Sequence, residues 1–173
     1  SQELLLPQGE VLTHIHVTPE VSDRLLKYIA PVLDDATDSE GTFSLSLAGG
    51  RVPFGALQQA KLAGQLHVHS IRVMPGPLAR QITQIVDQIG ILLRSGQSSP
   101  TWLTVKDRTI DFHVADGRVH HKGLEFSIGD VTVGSSGSVG FDETLALLLD
   151  ISIPDSWIVK EPFLRGLRGQ TIQ

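Results

Sequence analysis

Val11, Thr13, Ile15 and Val17 alternate with Leu12, His14 and His16, and this two-residue period predicts a strand. The strand runs into Thr18-Pro19, a residue suited to cap a helix followed by one suited to its first position. Val21, Leu25, Tyr28, Ile29 and Val32 then fall on one helical stripe, with Pro31 placed to kink or end the helix. The same succession of strand, proline and amphipathic helix returns at Ser70-Ile71-Arg72-Val73-Met74-Pro75 and at Asp150-Ile151-Ser152-Ile153-Pro154. Leu78, Ile82, Ile85, Val86, Ile89, Leu92 and Leu93 make the second helix the most one-sided of the three. The third is short, with Trp157, Ile158, Phe163 and Leu164 interrupted by Pro162.

Between the helices the two-residue period dominates. Asp34 to Gly41 reads as a polar loop, Phe43, Leu45 and Leu47 as a half-buried strand, and Gly49-Gly50 as a turn before an edge or loop segment at Arg51-Val52-Pro53-Phe54. Leu62, Gly64, Leu66 and Val68 keep one phase, after which the apolar positions switch to Ile71 and Val73. A switch of one residue inside a strand requires an extra residue, so a β-bulge is expected near His69-Ser70. From Thr101 to Pro154 a meander follows. Its strands read as Trp102–Val105, Ile110/Phe112/Val114, Val119/His121, Leu124/Phe126/Ile128, Val131/Val133, Val139–Phe141 and the leucine-rich run from Leu145 to Ile153. Asp116-Gly117 and Gly129-Asp130 are the turns; the first suits a type I′ hairpin, whose two central residues need positive φ. Gly134 to Ser138 reads as a glycine-bent strand or loop.

The resulting expectation is an α+β fold. A curved, bulged antiparallel sheet of roughly eight or nine strands carries two long helices and one short helix on one face, in a single domain over residues 1–173. Both ends read as cut, so the chain is expected to be a fragment of a longer protein.

Composition narrows the function classes. Net charge is −5 with basic residues scattered, which gives no electrostatic footprint for a nucleic-acid backbone. There is no cysteine, so disulfides, thiolate metal sites and a cysteine nucleophile are excluded together. No run approaches the ~20 apolar residues of a membrane span.

Reactive constellations are sparse. No G-x-S-x-G elbow, G-x-x-x-x-G-K loop or helix-opening G-x-G-x-x-G is present. Asp34-Asp35 and Asp142-Glu143 are paired acids in predicted loops, where acids solvate or cap. The seven histidines hold the one metal hypothesis: His14/His16 and His67/His69 are each H-x-H on a strand, which puts both rings of a pair on one face. His120 and His121 point to opposite faces. The pattern therefore argues against an enzyme and implies no cofactor.

Several short stretches taken in order resemble the C-terminal region of AsmA-like bacterial envelope proteins. They are Lys27-Tyr28-Ile29-Ala30-Pro31, Gly41-Thr42-Phe43-Ser44-Leu45, Arg51-Val52-Pro53-Phe54, Ala63-Gly64-Gln65-Leu66, Met74-Pro75-Gly76-Pro77-Leu78, Asp116-Gly117-Arg118-Val119 and Gly137-Ser138-Val139-Gly140-Phe141-Asp142-Glu143-Thr144-Leu145. The resemblance implies a periplasmic module of a larger protein anchored in the inner membrane, with a role in outer-membrane assembly or in moving phospholipid along an apolar β-groove, and no catalytic residues. On that reading a phospholipid or fatty acyl chain is the ligand, and the remaining segments of the parent protein are the other partners. The residues expected to touch it are Phe112, Val114, Leu124, Phe126, Leu147 and Leu149 from the meander, with Ile85 and Ile89 from the long helix. Two other readings stay open: a structural or protein-interaction domain whose filled core uses these same residues, and a metal-dependent enzyme built on His14, His16, His67 and His69.

Overall fold

The computed structural model describes residues 2–36, 38–93, 102–158 and 171–172. It is an α+β protein built on an open, wholly antiparallel sheet. In chain order the strands are β1 (Glu3–Leu6), β2 (Gly9–His16), β3 (Ser39–Pro53), β4 (Lys61–Val73), β5 (Leu103–Ala115), β6 (Arg118–Ile128), β7 (Val131–Gly140), β8 (Leu145–Ser152) and β9 (Thr171–Ile172). They lie side by side in the order β1-β3-β4-β5-β6-β7-β8-β9, and β2 shares with β1 the outer side of β3.

All three strand–proline–helix units are present. After β2, the Thr18 hydroxyl accepts a hydrogen bond from the Val21 N–H at 3.3 Å and Pro19 opens α1 (Pro19–Val21). The helix widens to a π-helical turn over Ser22–Leu26, resumes as α2 (Lys27–Ile29), and breaks at Ala30 before Pro31. After β4 comes α3 (Pro77–Leu92), and after β8 comes α4 (Asp155–Ile158). Phe163 and Leu164, expected in the third helix, lie outside the described residues.

The core is one cluster to which both sheet and helices contribute. Phe43, Leu66, Ile71, Leu103, Ile110, Leu124 and Phe126 come from strands; Leu26, Val32, Leu33, Ile82 and Val86 come from the helical segments. α2 lies against β6 and β7. On α3 the expected stripe is only partly buried: Ala79, Ile82 and Val86 face inward, while Ile85 and Leu92 are exposed.

Several boundaries differ from the pattern reading. Gly49-Gly50 is no turn: both lie inside β3, which runs on to Pro53 beside β1, and a register shift between Leu47 and Gly49 absorbs one residue. The loop after Asp34 is shorter, since β3 begins at Ser39. The meander has four long strands where seven short ones were expected: in β5 and β6 the breaks in the apolar phase are bulges, and in β7 the small residues Gly134–Ser138 stay in the strand. The bulge foreseen near His69 is there: Thr42 pairs with Ser70 and Phe43 with Val68, leaving His69 over. In β5 the buried phase passes from Leu103 and Val105 to Ile110 and Phe112 within a continuous strand, and in β6 from His121 to Leu124 across Lys122-Gly123. In β2, Leu12 pairs with Leu45 but Ile15 with Phe43, and His14 adopts a positive φ of 50°. These irregularities neighbour one another from β2 to β6 and form a continuous band across the sheet. Gly41, opposite the bulge, is required by contact as well as by conformation: with φ 129°, a Cβ there would sit 1.9 Å from the Ser70 carbonyl oxygen.

The two tight turns form as the sequence predicts. Asp116 and Gly117 both have positive φ, 51° and 71°, and Gly129 has φ 58°.

Candidate functional site: an apolar trough and a histidine cluster

Antiparallel pairing places directly opposed residues on one face. Leu47 opposes Gly64, Gly64 opposes Phe112, Phe112 opposes His121, His121 opposes Gly137, and Gly137 opposes Leu147. One row therefore crosses six strands, and two of its members are glycines. A Cβ at Gly64 would sit 2.3 Å from the Ser46 carbonyl oxygen and 2.8 Å from Cζ of Phe112. The missing side chain is what lets the phenyl ring lie down against the sheet. An open trough of about 740 Å³ follows this row across β2 to β6; besides Leu47, Gly64, Phe112 and His121 its lining takes in neighbouring residues whose side chains belong to the other face of the sheet, among them Glu10, Gln65, Asp111, His113, His120 and Lys122.

His121 is the unusual member of the row. It is 4% exposed; one ring nitrogen, Nε2, lies 3.2 Å from the Ser135 hydroxyl, and the other, Nδ1, has no hydrogen-bond partner among the described residues. Burial, and to a lesser degree the neighbouring His120, pushes its pKa down to about 4, so the ring is neutral near pH 7. His120, on the opposite face, stacks on His113 with centroids 4.6 Å apart. This pair follows from the Asp116-Gly117 hairpin, which sets Ala115 opposite Arg118 and hence His113 opposite His120.

The expected ligand-contact residues separate into three groups. Phe112 and Leu147 belong to the trough row, though only Phe112 lines the trough itself. Val114, Leu124 and Phe126 are buried in the common core, the last two at 1% exposure, and Leu149 is half-buried beside Ser135. Ile89 is half-buried against the core, and Ile85 is 44% exposed. The structure does not bring the eight together as one surface.

The histidine set is brought together in part. The His14 ring stacks on His69, centroids 4.3 Å apart and planes within 5°, and His67 meets His69 edge-on at 4.8 Å. His16 has no such ring contact among the described residues. His67 holds the Thr109 hydroxyl at 2.9 Å through Nδ1 and the Asp107 carboxylate at 3.2 Å through Nε2. His69 Nε2 lies 2.9 Å from the Ser44 hydroxyl, whose oxygen also accepts the His14 backbone N–H at 3.1 Å. These rings engage one another and their neighbours. No group of three or more histidine, aspartate or glutamate side chains among the described residues is disposed to hold a metal ion.

Of the paired acids, Asp142 and Glu143 are engaged, whereas the buried Asp34 Oδ1 has no hydrogen-bond partner among the described residues. Asp142 takes hydrogen bonds from the Thr144 side chain and backbone, which hold its carboxyl below the usual range, and Glu143 pairs with Lys27 at 3.2 Å. Asp34 is shifted upward by burial and by the adjacent Asp35, at the edge of a small cleft near Lys27 and Tyr28. No described helix is long and apolar enough to cross a membrane. No protein-family model matches the chain, and searches of curated proteins and of solved structures return no match.

Proposed function

We propose that this chain is a non-enzymatic module of an AsmA-like bacterial envelope protein, working in the periplasm and binding an acyl chain or phospholipid in the trough that crosses the sheet at Gly64. The observation that carries the reading is the open trough of about 740 Å³ that runs across β2 to β6 at Gly64, where a residue with no side chain leaves the sheet thin. That volume falls within the ~300–1,000 Å³ of small-molecule sites. The band of bulges supports it, because a bulge bends its strand and a bent sheet can carry a groove. The mechanism is burial, at ~0.8 kcal/mol for each methylene taken from water. Membrane anchoring would belong to the parent protein, and outer-membrane assembly or phospholipid transport would be its task.

A second reading has its own observation. Leu124 and Phe126 are sealed into the core at 1% exposure, as expected of a structural or interaction domain with no ligand.

Native mass spectrometry of the purified chain, followed by lipid extraction, separates the two. A stoichiometric phospholipid or fatty acid, lost in Leu47→Lys with the circular dichroism and melting transition retained, supports the trough. A clean apo mass that stays unchanged after incubation with phospholipid vesicles supports the structural module.

A further inference from the structure

We propose that His14, His67 and His69 form a proton-operated latch that holds the edge strand β2 against the sheet and releases it on acidification. β2 is weakly held otherwise. It pairs with β3 alone, its register slips twice, most of its residues are exposed, and His14 sits at φ 50°, a backbone region that side chains other than glycine rarely take. Its middle is tied down by a relay crossing three strands. The His14 N–H donates to the Ser44 oxygen on β3, and the Ser44 hydroxyl lies 2.9 Å from Nε2 of His69 on β4, to which it donates when that nitrogen is unprotonated. The His14 ring closes over the His69 ring, and His67 abuts the other side.

In this direction the relay uses a neutral His69, whose unprotonated Nε2 accepts the serine proton. Protonation turns Nε2 into a donor to the Ser44 oxygen, displaces the hydroxyl hydrogen from its acceptor, and places a cation against two further imidazoles. The charged groups facing His69 pull in both directions. His14 from β2 and His67 from β4 oppose its protonation, as does partial burial, whereas Glu10 from β2 and Asp107 from β5 favour it. Burial comes first and the histidines next, so the folded ring stays neutral to lower pH than an ordinary imidazole. As pH falls through about 6.5 the unfastened strand, which binds protons more readily, gains population. The inference does not depend on any ligand in the trough.

Amide hydrogen exchange of the 173-residue chain, corrected for intrinsic rates, tests it between pH 7.5 and 5.0. The expected result is a severalfold loss of protection confined to residues 12–16 and their β3 partners, with β5, β6 and α3 unchanged. His69→Gln, which keeps an acceptor for Ser44 and carries no titrating proton, should hold β2 closed at both pH values. Should that variant fail to fold, Ser44→Ala serves instead, with β2 already loosened at pH 7.5 and no further pH response. Unaltered protection of residues 12–16 at pH 5.0 while the His69 ring titrates by NMR would overturn the latch. So would a loss of protection spread evenly over the sheet.

Discussion

Substituting His121 by glutamine should remove a large part of the acid sensitivity of this fold. The ring is buried at 4% exposure, and the cost of desolvating its cation sets the folded pKa at about 4 against an unfolded value near 6.5. Because the folded pKa of this base is the lower one, the unfolded chain binds the proton first. The stabilisation is therefore complete above about pH 6.5 and is lost progressively as pH falls toward 4. At about 1.36 kcal/mol per pH unit, the gap corresponds to roughly 3 kcal/mol lost across that window. Urea denaturation of wild type and His121→Gln at half-unit steps from pH 7.5 to 4.0 measures it by difference, which cancels the contributions of His69 and the carboxylates. The wild type should lose about 2–3 kcal/mol more than the variant between pH 6.5 and 4. Parallel curves would refute the reasoning and mean that the ring is protonated, or reached by water, in the folded protein.

Other outcomes follow from the packing. Phe126→Ala should cost about 3–5 kcal/mol in urea denaturation through the cavity it leaves, whereas truncation of the 44%-exposed Ile85 should stay within about 0.5 kcal/mol. Gly64→Ala forces a Cβ to 2.3 Å from the Ser46 carbonyl oxygen and to 2.8 Å from the Phe112 ring, so it should destabilise by about 1–3 kcal/mol and lower the melting temperature. Thr18→Ala removes the cap on the first helix and should cost about 1 kcal/mol, checked by the same denaturation series.

Where local chemistry determines geometry, the sequence was readable. Thr18-Pro19 and Asp116-Gly117 act within a few residues, and the structure shows the cap and the turn that they imply. The bulge at His69 was readable because apolar residues run up to it on both sides. The same irregularity in β5 and β6 was read as strand ends, since Lys106-Asp107-Arg108 and Lys122-Gly123 have loop-like composition. What keeps those residues in strands is pairing with neighbours: Lys106 opposes Ser70, Arg108 opposes Val68, and Arg108 forms an ion pair with Glu125. Gly49-Gly50 was misread for a related reason, as β1 and β4 supply partners on both sides that override a weak local preference. The π-helical turn at Ser22–Leu26 had no local signal. The site was legible only as fragments: His14, His67 and His69 were singled out for metal chemistry and meet as stacked rings, while Ser44, which joins two of them, looked like an ordinary polar position in an alternating strand.

The band of bulges also governs how the sheet can go wrong. In a regular antiparallel pair a slide of two residues keeps every side chain on its proper face, so it is the cheapest pairing error available. Here β4 and β6 each have their odd residue at one place and β2 slips at two, and the neighbouring strand accommodates each irregularity at its own place. A two-residue slide of β4 along β3 would carry His69 away from Gly41 and Thr42, and the buried phase would then be wrong for the stretch between the old and new positions of the irregularity. The bulges thus work like the notches of a key, so that one alignment seats and its nearest competitors jam.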